Sequence, residues 1–185
     1  MKTNEILINS IENVRSLIDN SVLILKDLDT YLSERGFVPL YGNAIGTESS
    51  KSINQSSNTF STFFPQFMFR PYAEKKEIDT KSVNKVVAIN IQFFHPNHEG
   101  LAPLLIAGVF EFPSPMSDPK NSIKNWWFKY AALEYQDELL AEGEMIRIEP
   151  FSDDSTAITY WTQPLASIEN QNDIKAIVRR LHSVY

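Results

Sequence analysis

The 185-residue chain contains no cysteine. That absence removes disulfides, thiolate nucleophiles, zinc ribbons and iron–sulfur clusters together, because each needs a thiol. Histidine is scarce as well, with three residues, His95, His98 and His182. Neither Gly-x-Ser-x-Gly nor His-Glu-x-x-His occurs, so the common serine-hydrolase and zinc-protease arrangements lack their sequence signatures. No long apolar run is present. The longest candidate, Leu101 to Phe110, is broken by Pro103 and Gly108 and falls short of the ~20 residues a bilayer span requires. The first residues are apolar but interrupted by Asn9, Glu12, Arg15 and Asp19, unlike a secretion signal. These features point to a cytoplasmic protein without a membrane segment.

A basic excess is also missing. Seventeen Lys and Arg against 23 Asp and Glu give a net charge of −6. Phosphate recognition rests on clustered cations, so nucleic acid is not the expected partner. The charges are nonetheless unevenly spread. Arg70, Lys75, Lys76, Lys81 and Lys85 form a local basic stretch, whereas 134–154 holds Glu134, Asp137, Glu138, Glu142, Glu144, Glu149, Asp153 and Asp154 against Arg147. Such stretches serve either as solvated faces or as complementary docking surfaces.

What remains is ordinary globular composition, 43% hydrophobic and 22% charged, enough for one domain spanning 1–185. Leu7, Ile11, Val14, Ile18, Val22, Leu25, Leu28 and Leu32 recur every three or four residues and predict a long helix. Thr3 or Asn4 can start it, and Gly36 can stop it. So wide a stripe needs cover, either from a sheet or from a second copy; packing on the sheet is the expected solution. The stretch 47–62, rich in Ser, Thr and Asn, is expected to be a flexible loop.

Strand patterns follow at Phe67–Tyr72, Val83–Phe94, Leu104–Phe112, Met145–Glu149 and Ser155–Thr162. In the second of these, Asn90 and Gln92 suggest a face that is wet or in contact with something else. Asn121 or Ser122 can cap a helix running through Trp126, Trp127 and Tyr130 towards Leu140. Ile174, Ile177, Val178 and Leu181 mark an amphipathic C-terminal helix. Adjacent strands flanked by helices indicate an α+β fold: a mainly antiparallel sheet of about five strands, with long N-terminal and C-terminal helices on one face.

Three chemistries compete. Trp126, Trp127 and Trp161 supply aromatic area of the kind that anchors interfaces, and with the acidic stretch they point to a non-enzymatic protein that engages a protein partner or a second copy of itself. Alternatively, His95, His98 and Glu99, with Glu111 as a more distant carboxylate, form a turn able to hold a metal for hydrolase or nuclease chemistry. A third reading is a sensor with an apolar pocket between helix and sheet. No catalytic residue, and no cofactor, follows from the spacing.

Overall fold

Alternation along Val83–Gln92 organises the core of the computed structural model, which describes residues 3–47, 65–95, 100–124, 127–129, 143–149 and 155–185. This strand, β4, sends Val87, Ile89 and Ile91 to one face and Val86, Ala88, Asn90 and Gln92 to the other. Before it come α1 (Thr3–Ser33), β1 (Phe37–Pro39), β2 (Gly46–Thr47), β3 (Phe67–Glu74) and α2 (Lys75–Asp79). After it come β5 (Leu104–Met116), α3 (Pro119–Ser122), α4 (Trp127–Lys129), β6 (Ile146–Ile148), β7 (Ala157–Pro164) and α5 (Gln171–Val184).

The sheet has seven strands rather than five, all antiparallel, in the order β1-β3-β4-β5-β7-β6, with β2 also on β3. The two extra strands share one edge of β3: β1 pairs along Tyr72–Glu74 and β2 along Met68–Phe69. They are three and two residues long, and Pro39, Gly42 and Gly46 punctuate them. A period-two pattern needs about four residues to be seen. The α+β class and the antiparallel sheet stand.

One face of the sheet carries the terminal helices. Leu25, Leu28 and Leu32 of α1 and Ile174, Ile177, Val178 and Leu181 of α5 pack on Met68, Tyr72, Ile89, Leu105, Val109 and Trp161. The helix α5 begins with a capping box between Asn170 and Asp173. The chain ends with the Tyr185 ring edge-on to Phe37 at 4.8 Å. The opposite face is also covered, by a second cluster that includes Ile123, Phe128 and Tyr160. Asn90 and Gln92 are therefore fully buried and not wet: Asn90 Nδ2 donates to Gln92 Oε1 (3.0 Å), and Gln92 Nε2 donates to the Phe94 carbonyl (2.7 Å). Three of their four polar atoms are thus paired locally, while Asn90 Oδ1 is buried with no hydrogen-bond partner among the described residues.

Two expectations for the middle of the chain change. Asp118, and neither Asn121 nor Ser122, caps α3 by accepting from the Asn121 amide, and the extended backbone of Ile123 separates α3 from α4. Thr47, expected to open the flexible loop 47–62, instead pairs with Met68 in β2, and the rest of that loop and the helix's continuation to Leu140 lie outside the described residues. No helix among the described residues is long and apolar enough to cross a membrane.

Candidate functional site

The helix α1 has two halves with opposite surroundings. From Thr3 to Ser16 every residue is exposed, a stretch of about 21 Å at the helical rise. Beyond Leu17 and Ile18, which are half-buried, Ser21, Leu25, Leu28 and Leu32 are buried against the body. At 100° per residue, Leu7, Ile11, Val14 and Ile18 fall on the same stripe as those four, with steps of four and three throughout. Ile6, Leu7, Ile8, Ile11 and Val14 are thus left 43–58% exposed on a helix whose other half is spent in the core. Ser10 and Ser21 interrupt this apolar surface without demanding water, because each hydroxyl donates to the carbonyl four residues back, Ile6 at 2.8 Å and Leu17 at 2.7 Å.

The direction of the free half is set by how firmly the second half is held. Arg70 on β3 grips Asp29 with two charge-assisted hydrogen bonds of 2.6 Å, and its Nη1 donates to the Ala44 carbonyl at 2.9 Å. These bonds outweigh burial and raise the Arg70 pKa. Tyr31 donates to Gln171 Oε1 across to α5 (3.1 Å), and the Lys175 ammonium sits 5.2 Å from its ring centre. Where α1 leaves the body, Leu17 and Ile24 form one wall of a groove whose other wall includes Pro103, Pro164, Leu165 and Ile168, with a volume of about 470 Å³.

Those residues singled out from the sequence that are described lie outside the exposed half of α1. Trp161 is fully buried in β7 and presents no surface to a partner; the Arg180 guanidinium lies 4.4 Å from its ring centre, while Arg180 Nη2 donates to the Gly143 carbonyl at 2.7 Å. Trp127 is half-buried, 5.1 Å from Phe110 and 5.7 Å from Phe112 between ring centres. Trp126 lies outside the described residues. So do His98 and Glu99, whereas His95 is buried just past β4. Glu111 is not near that turn: its register partner is Lys85, seven residues of strand before Gln92, or roughly 24 Å. Among the described residues no three His, Cys, Asp or Glu gather as a metal site.

The basic stretch is similarly dispersed. Arg70 faces Asp29, Lys75 pairs with Asp79 at 2.7 Å, Lys76 with Glu74 at 2.5 Å, and Lys85 donates to the Tyr185 carbonyl at 2.9 Å. Of the acidic stretch, only 143–149 is described, where Glu149 is bound to Arg147 at 2.6 Å. Burial pushes the Tyr160 pKa up to about 12 and raises those of Tyr72 and Tyr185 as well. These hydroxyls belong to packed regions, Tyr185 donating to Glu77 Oε2 at 3.1 Å. Comparison with family models, curated proteins and solved structures returns no match.

The surface that sequence reasoning undervalued is the first half of α1. Its signal was present: Ser21 continues the spacing from Leu7 to Leu32 that Val22 breaks, and that repeat is the one used by paired helices.

Proposed function

We propose that this chain is a non-enzymatic cytoplasmic interaction protein whose docking element is the first half of α1. The observation that carries this reading is the continuation of one apolar stripe from a buried half-helix into a fully exposed one. Five roughly half-exposed aliphatic side chains leave on the order of 500 Å² of apolar surface in water, comparable with the largest patch on a typical monomer, which is often functional. Trp161 is buried and Trp127 packs against Phe110 and Phe112, so the docking role moves from Trp127 and Trp161 to Leu7, Ile11 and Val14.

Gentle purification followed by native mass spectrometry tests it. Wild-type protein is expected to carry a stoichiometric protein companion, either another chain or a second copy, that Ile11→Glu loses while its melting temperature at high dilution is unchanged. Identical composition of the two samples overturns the reading. Elemental analysis of the same preparation addresses the hydrolase alternative, since a stoichiometric transition metal lost in His95→Ala would replace docking with the His95/His98 turn.

A further inference from the structure

We infer that the occupant of the exposed stripe is the same stripe of a second copy, the two α1 helices pairing antiparallel over residues 7–18. This rests on the docking reading above and names its partner. The spacing Leu7, Ile11, Val14, Ile18 is a run of alternating heptad core positions, and two such stripes are self-complementary under a two-fold axis.

The fold selects the orientation. From Ser21 onward the stripe faces the chain's own sheet. A parallel partner helix running past residue 20 would therefore enter space that the sheet already fills. An antiparallel partner avoids this, because its own body lies beyond the first chain's N-terminus. The register follows from the number of layers buried. Pairing Leu7 with Ile18 of the other copy, and Ile11 with its Val14, uses every core position between residue 4 and the start of the body; the next register, one heptad shorter, leaves Ile18 uncovered.

Two further features fit this occupant. Ile6 lies on the same flank of the stripe as Leu17 and Ile24. In this register it comes beside the other copy's Asp19, at the mouth of the groove that Leu17 and Ile24 form with Pro103 and Leu165. The pairing also brings Ser10 close to the other copy's Leu17, and its hydroxyl, already bonded to the Ile6 carbonyl, can be covered without losing a partner. The apolar surface removed from two copies reaches the ~1,000 Å² that a specific interface must clear.

The experiment is sedimentation velocity on the full chain from about 1 to 100 μM, with glutamate variants at exposed positions only. Wild type is expected to dimerise within that range. Ile11→Glu and Val14→Glu should weaken association roughly 100-fold by burying charge in the seam, while Ser16→Glu, on the opposite side of the helix, should leave it unchanged. Because the chain has no cysteine, orientation can be read directly: a mixture of Leu7→Cys and Ile18→Cys chains should form the mixed disulfide, and Leu7→Cys alone should not link to itself. Efficient self-linking of Leu7→Cys would overturn the antiparallel arrangement. A wild-type chain that stays monomeric at about 100 μM overturns the second copy as partner. If an Ile11-dependent foreign companion is then found, docking by α1 stands with a different occupant; if none is found, both fall.

Discussion

Arg70 and Asp29 form a two-pronged ion pair whose members differ in access to water: the Arg70 side chain is 5% exposed and that of Asp29 is 31%. It joins β3 to the last turns of α1 across 41 residues of sequence. The pair lies at the end of α1 that is packed, so it fixes the angle at which the unpacked end projects.

The asymmetry makes the two truncations unequal. Asp29→Ala leaves a buried guanidinium without its carboxylate, beside only the Ala44 carbonyl and the Tyr72 ring among the described residues, and should cost about 3 kcal/mol. Arg70→Ala leaves a carboxylate that can turn towards water, so a loss of about 1–2 kcal/mol is expected after allowing for solvent screening of Asp29. Urea unfolding of both variants checks the order, and equal losses would show that the pair does not behave as a buried cation held by a half-exposed anion.

Stability should fall steeply in alkali. Tyr72, Tyr160 and Tyr185 all hold their protons above the ordinary range because of burial, Tyr72 and Tyr185 also because carboxylates lie near them. The unfolded chain releases these protons near pH ~10, while the folded chain keeps them to higher pH, so the folded state binds more protons and loses stability as pH rises through that region. Each tyrosine adds a slope of about 1.4 kcal/mol per pH unit. Denaturant midpoints between about pH 8 and 11 measure it; Tyr160→Phe should reduce the slope.

Gly108 allows β5 and β7 to meet. A Cβ at this position would lie 2.2 Å from the Thr159 carbonyl oxygen and 2.6 Å from the Tyr160 Cβ. Both are parts of a paired strand, with little freedom to move. Gly108→Ala should therefore cost ~3 kcal/mol, as overpacking of a rigid site does. Thermal unfolding checks it, and a neutral effect would mean that the two strands separate easily.

Arg180 covers Trp161 and ties α5 to the Gly143 carbonyl. Arg180→Ala removes a cation from the indole face and the packing of its aliphatic stem, for a loss of about 1–2 kcal/mol. Trp161 emission should shift to the red as water reaches the ring. Trp126→Phe and Trp127→Phe in the background make that shift readable.

Elements with a sustained period were legible in the amino-acid order alone. The stripe from Leu7 to Leu32, the alternation from Val83 to Gln92 and the apolar face from Ile174 to Leu181 each span enough residues for burial on one side to leave a pattern. That order did not disclose β1 and β2, which are too short to alternate, or the burial of Asn90 and Gln92, because a polar residue inside the core reads in sequence like one facing water. Where the α1 stripe stops being covered depends on how the chain packs in three dimensions. A stripe records that a face avoids water but not what covers it, and the extent of the sheet, set by strands far along the chain, buries one half of α1 and leaves the other exposed. The same holds for the tryptophans: composition supplied their area, whereas the fold placed Trp161 in the core and moved the candidate docking surface to Leu7, Ile11 and Val14.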